Sequence, residues 1–89
     1  MSLKIRQSTR FKRDIKRIRK RRLDMTKLEL VIRTLVAEEA LEHRYRDHIL
    51  SGNWKGYREC HVEPDWLLIY RVNENQLELV RTGSHSDLF

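Results

Sequence analysis

The sequence predicts an α+β fold: a small antiparallel sheet with an N-terminal helix hairpin packed on one face, in the order β-α-α-β-β-β. Three observations carry the prediction. Apolar residues recur at helical spacing in two stretches of the first half, one starting at Phe11 and one at Met25. Strand-forming runs bounded by turn residues fill the second half, from Tyr57 to Thr82. Among them, Trp66-Leu67-Leu68-Ile69-Tyr70 is apolar on both faces, the mark of a central strand covered on both sides. At 89 residues a single domain, residues 1–89, is expected, with a core small enough for a partner chain to matter to its stability.

Taken in order, Leu3, Ile5 and Gln7 alternate with Lys4 and Arg6, which predicts a short strand with one face inward. Ser8 or Thr9 can cap a helix by accepting a bond from an orphan backbone N–H, and Phe11, Ile15 and Ile18 give that helix one apolar stripe. Asp24 can cap a second helix, whose Met25, Leu28, Val31, Ile32, Leu35 and Val36 keep the 3.6-residue rhythm to about Ala40 or Leu41. A short link at Leu23 makes the pair an antiparallel hairpin. The period is lost from His43 to Gly56, with a loop at Ser51-Gly52-Asn53. Three strands follow, Tyr57 to Val62, Asp65 to Val72 and Gln76 to Thr82, joined by turns at Glu63-Pro64 and Asn73-Glu74-Asn75. Gly83 then releases the chain into a short terminal piece.

Charge is unevenly spread. The chain carries 19 Lys and Arg against 13 Asp and Glu, but residues 1–42 are net +7 and residues 43–89 net −1. Nine cations fall in the thirteen positions 10–22, where mutual repulsion destabilises an isolated helix unless something anionic compensates. Such a run is commonly a solvated helix face. We favour a phosphate-contacting surface built from Arg10, Arg13, Lys16, Arg17, Lys20 and Arg21. No apolar run is long enough to cross a bilayer and the N-terminus lacks the apolar core of a secretory signal, so no membrane partner and a cytoplasmic location are expected. The single cysteine, Cys60, falls in a strand and reads as a small core residue.

Three of the four histidines, His48, His61 and His85, lie in the second half together with Asp65 and Arg81. Cleaving RNA by attack of its own 2′-hydroxyl requires a base, an acid for the leaving 5′-oxygen and a cation for the phosphorane. Histidine serves as either base or acid near neutrality, and arginine offers phosphate a planar fork of donors. His61 and Asp65 flank the tight Glu63-Pro64 turn and must lie close in space. Trp66, Tyr57 and Phe89 are candidate stacking surfaces for bases, with Lys55 and Arg58 as substrate-side cations. Each of these residues has a plain alternative, a surface or packing histidine or a core aromatic. The histidines and cysteine show no pair at i, i+4, no C-x-x-C and no H-x-H, so neither a metal nor any other cofactor is expected.

The run Tyr45-Arg46-Asp47-His48, then Gly52-Asn53-Trp54-Lys55-Gly56-Tyr57-Arg58, His61-Val62-Glu63-Pro64-Asp65-Trp66 with Ile69-Tyr70, and Arg81-Thr82-Gly83-Ser84-His85 with Leu88-Phe89, closely resembles the YafQ branch of the RelE/ParE-type bacterial toxins. The resemblance covers nearly the whole chain. It implies a ribosome-dependent endoribonuclease that cuts messenger RNA in the ribosomal A site, favouring an AAA codon followed by a purine. It also implies a cognate DinJ-like antitoxin and a small antiparallel sheet with a helix hairpin. By similarity, His48, His61, Asp65, Arg81, His85 and Phe89 fall on catalytic and messenger-binding positions. His85 would be the general acid, His48 the general base and Arg81 the phosphate stabiliser, with acid and base open to exchange. His61 and Asp65 would position the nucleotide or assist the base, and Phe89 would stack on the substrate. The basic helix would dock on ribosomal RNA, and the free toxin would be monomeric. Two rival readings stand beside this one: a ParE-like gyrase inhibitor of the same fold, and a basic RNA-binding module without catalysis.

Overall fold

The computed structural model describes residues 2–89. Its elements run β1 (Lys4–Gln7), α1 (Thr9–Lys20), α2 (Met25–Val36), β2 (His48–Ile49), β3 (Arg58–Glu63), β4 (Trp66–Asn73), β5 (Gln76–Gly83) and α3 (His85–Leu88), with 3₁₀ turns at His43–Tyr45 and Gly52–Trp54. The sheet has five strands in the order β1-β5-β4-β3-β2. The α+β class and the helices-then-strands order expected from the sequence hold. One pairing differs from an all-antiparallel sheet: β1 lies parallel to β5, Lys4 opposite Gln76 and Gln7 opposite Leu79.

Both expected caps are present, Ser8 accepting from the Phe11 N–H and Asp24 from the Thr26 N–H. The second helix stops at Val36 rather than at Ala40 or Leu41. Glu38 takes a left-handed φ of 58° and donates to the Leu35 carbonyl, while Glu39 donates to that of Thr34. This is a Schellman cap. The first helix ends the same way, with Arg22 at φ 58°, Arg22 N–H to Arg19 and Leu23 N–H to Ile18. Neither residue is glycine, so no stop signal marks Glu38 in the sequence.

The core lies between the helices and the sheet, where Phe11, Ile18, Leu28, Val31 and Leu35 meet Cys60, Val62, Trp66, Leu68, Tyr70, Leu77 and Leu79. The second covering inferred for the central strand is a smaller cluster on the other face: Leu67, Ile69 and Leu88, with Leu50, Trp54, Tyr57 and Val80 packed around them. Trp66 through Tyr70 are buried accordingly. Past Gln7 the outer edge of β5 has no strand beside it, and side chains take over. The Ser8 hydroxyl donates to the Val80 carbonyl and the Asp14 carboxylate accepts from the Thr82 N–H. Among the described residues no helix is long and apolar enough to cross a membrane.

Candidate active site

Register places the chemistry. Across the sheet, His48 pairs with Glu59, Glu59 with Ile69 and Ile69 with Arg81, so these four form one row on the face opposite the helices. In the next row His61 pairs with Leu67, and Leu67 with Gly83. β2, the two-residue strand that brings His48 into the first row, lies in the stretch expected to be loop. The terminal piece forms α3, a single helical turn in which the Ser84 hydroxyl accepts from the Asp87 N–H and the Asp87 carboxylate accepts from the Ser84 N–H. The turn sets His85 beside His61, ring centroids 5.8 Å apart, and His48 stands 6.2 Å from His61 on the other side. A Cβ on Gly83 would come within 2.8 Å of Asp87 Oδ2, so the bare glycine lets α3 fold back against the strand end.

Each of these three histidines is tied down through Nδ1. His48 Nδ1 is 2.6 Å from the Arg46 carbonyl, His61 Nδ1 3.3 Å from the Pro64 carbonyl and His85 Nδ1 2.6 Å from Asp65 Oδ1. Carbonyl and carboxylate oxygens only accept, so Nδ1 donates in all three rings and Nε2 is left for other partners. The Arg46 carbonyl is aimed by a left-handed backbone at φ 46°. Asp65 also accepts from the His85 backbone N–H, and these two bonds to His85 hold its carboxyl below the usual carboxylate range. Asp65 is therefore an orienting anion for His85.

Between His48 and His61 stands Glu59, 5% exposed, its Oε1 3.5 Å from His48 Nε2 and 3.6 Å from His61 Nε2. The sequence reading assigned it nothing, although E-x-H on one strand face was a signal for it. Arg81 shares the row of His48 and is clamped from the side. Its Nε and one Nη donate to Asp14 at 2.8 and 3.1 Å, which raises its pKa further and keeps it charged. Its other Nη makes no hydrogen bond to the protein among the described residues.

Two expected substrate contacts do not stand. Trp66 is 2% exposed and donates from Nε1 to Thr82 Oγ1 at 2.9 Å, so it is a core residue and cannot stack on a base. Its strand parity turns it to the helix face, away from the neighbouring Asp65. Arg58 also points to the helix face, where Asp47 accepts from it at 3.2 Å and from the Tyr70 hydroxyl at 2.6 Å. On the histidines' side Phe89 is 62% exposed, the half-buried Trp54 packs edge-on to it at 6.4 Å, and the half-buried Tyr57 packs edge-on to Trp54 at 5.5 Å. Lys55 is exposed beside Trp54. On α1, Arg10, Arg13, Lys16, Arg17, Lys20 and Arg21 are all exposed, but Arg17 faces Asp14 and Asp87 and Arg21 is bound to Asp87, so both are engaged.

Comparison with known proteins bears on this geometry. A family model described as a bacterial toxin of type II toxin-antitoxin system, YafQ, matches residues 3–89. The mRNA interferase toxin YafQ of Escherichia coli K12 is 45% identical over 83 residues, 92% of this chain and 90% of its own. Among solved structures, a copper-bound mutant toxin from Helicobacter pylori superposes with a TM-score of 0.94 at 41% identity, covering 98% of this chain and 99% of that one. The E. coli DinJ-YafQ toxin-antitoxin complex gives 0.91 at 42% identity, covering 100% and 99%. Sequence and fold agree over almost the full length, and the chain belongs to the YafQ family of type II toxin-antitoxin toxins.

Proposed function

We propose that this toxin is an endoribonuclease that cuts messenger RNA in the ribosomal A site and is held inactive by a cognate antitoxin of DinJ type. The observation that carries the reading is the set of three histidines whose Nδ1 atoms are all tied back, leaving three Nε2 atoms on one face. The mRNA interferase relative and the DinJ-YafQ complex support the activity and the partner.

Chemically, a neutral His48 offers an Nε2 lone pair to the 2′-hydroxyl proton. The freed 2′-oxygen forms a bond to phosphorus, the bond from phosphorus to the 5′-oxygen breaks, and His85 delivers its Nε2 proton to that leaving oxygen. The products are a 2′,3′-cyclic phosphate and a 5′-hydroxyl. The Asp65 anion stabilises the imidazolium that His85 must be before it donates. Arg81 meets the charge on the pentacoordinate phosphorus, and its position is fixed in advance by Asp14, so no reorganisation is needed as that charge builds. His61, between the two, positions the phosphate. Phe89 and Trp54 provide an aromatic edge for a base, and Lys55 a cation for the backbone. Arg10, Arg13, Lys16 and Lys20 on α1 contact ribosomal RNA phosphates.

The test is a paired assay in which wild type and His85→Ala act on ribosomes presenting AAA in the A site, with fragment ends mapped. Wild type is expected to cut in that codon and His85→Ala to be slower by about 10²- to 10⁴-fold. Binding to ribosomes without cleavage by either protein would sink the nuclease reading.

A further inference from the structure

Tyr57 has no part in the chemistry described so far, yet it stands on the histidines' face and joins a track that leads away from them. Phe89 closes the turn that His85 opens, its N–H donating to the His85 carbonyl at 2.8 Å. The Trp54 ring lies 6.4 Å from that of Phe89, the Tyr57 ring 5.5 Å from that of Trp54, and the Arg71 guanidinium 4.9 Å over the Tyr57 centroid. Here opens a cavity of about 470 Å³ whose lining includes Arg6, Thr9, Tyr57, Arg71, Glu78 and Val80. Strand pairing sets Arg71 opposite Glu78 and Glu78 opposite Arg6, the next row along the sheet from Ile69 and Arg81. Glu78 takes both its bonds from a single Arg71 Nη, at 2.8 and 2.9 Å. Arg71 Nε is buried without a partner, which is rare for a donor in a folded protein, and Arg6 is exposed. One carboxylate thus faces two guanidiniums, and the cavity keeps a net positive charge.

The direction of the track follows from the acid. The 5′-oxygen that receives the His85 proton belongs to the nucleotide on the 3′ side of the cut, so that nucleotide lies beside α3 and the message leaves past Phe89. We propose that the message downstream of the cut runs over Phe89, Trp54 and Tyr57, and that Arg6 and Arg71 hold one of its backbone phosphates in this cavity. Aromatic groups followed by a pair of guanidiniums suit a single strand of any sequence, since every base has a face and every link a phosphate. This direction rests on the nuclease reading with His85 as acid. The cavity adds hold on the message and takes no part in breaking it.

Placement is measured first, without cleavage. A message with 2′-deoxy nucleotides throughout the A-site codon lacks the attacking hydroxyl, and 4-thiouridine at successive positions on either side of that codon is cross-linked to wild-type toxin on the ribosome. Cross-links to Phe89 and Trp54 are expected from the nearest downstream positions and to Tyr57 or Arg71 from positions farther downstream. Cross-links to Tyr57 from the upstream side, or to neither Tyr57 nor Arg71 from any position, overturn the track. Single-turnover cleavage is then compared on a message that ends with the A-site codon and on one that continues. Wild type should reach half its maximal rate at about tenfold lower toxin concentration on the longer message, and Arg6→Gln combined with Arg71→Gln should lose that difference. Circular dichroism verifies the fold. A folded double variant that keeps the wild-type difference overturns the phosphate site. If the double variant does not fold, the exposed edge change Arg6→Gln alone should reduce the difference, and leaving it whole overturns the site equally. Ordered cross-links from a wild type that never cleaves the unmodified message would refute the nuclease reading and leave the track intact.

Discussion

The Asp65–His85 pair resembles the orienting half of a catalytic triad, with a carboxylate fixing one ring nitrogen so that the other faces the reaction. Asp65→Asn removes the charge but keeps the side chain's size. The expected result is a drop in single-turnover cleavage of roughly tenfold or more, smaller than that of His85→Ala, with ribosome binding unchanged. Trp66 and Trp54 separate packing from recognition. Trp66→Phe loses the hydrogen bond to Thr82 and should cost about 1 kcal/mol in denaturant unfolding, leaving the rate of the folded protein intact. Trp54→Ala should instead weaken substrate use, seen as a raised KM. At this scale the histidines and Arg81 stood out as candidates because few residues can transfer protons or clamp a phosphate, and the family resemblance, not strand parity, put His48 and His85 among them. Trp66 was offered as a stacking surface because it is aromatic, although its strand parity opposes that of Asp65. Asp14 was missed because a carboxylate in a helix carries no local sign of its partner across the fold, and Glu59 because its E-x-H spacing to His61 was passed over.

Elements hold these residues through their ends. Asp87 closes the capping box of α3 and also takes the Arg21 guanidinium at the end of α1. The Arg21 hydrogen bond is the largest of the effects that hold the Asp87 carboxyl far below the usual range. A group depressed on folding stabilises the native state above its unfolded pKa and loses that contribution as pH falls toward the folded value. Asp87→Asn should therefore be less stable than wild type at neutral pH by about 1 kcal/mol, discounted for the half-exposed Arg21. In urea titrations across pH the gap should narrow below about pH 4. Helix starts and the central strand were legible from caps and from apolar period. The left-handed stops at Arg22 and Glu38, the two-residue β2 and the single turn of α3 were not: the stops lack the glycine that marks such a cap, β2 depends on pairing with β3, and the Ser84–Asp87 capping box went unread.

For the whole molecule, the proposed function divides the work between the cations of α1 and the histidine face. The free cations on α1 should set attachment to the ribosome, and the sheet face should set the chemistry. Changing Lys16 and Lys20 together to alanine is expected to weaken ribosome association and to reduce the slope of log affinity against log salt by about two. A-site cleavage by ribosome-saturating protein should remain.

The order of the sheet carries one more consequence. β1 pairs with β5, Lys4 against Gln76, and the buried Asp14 on α1 accepts from Arg81 and Thr82. During synthesis, the first strand and helix therefore leave the ribosome long before their partners exist. Arg81 and His85 come later still. A nascent chain has no assembled site until its last strand and the turn beyond it have emerged, so the proposed cleavage cannot begin before then.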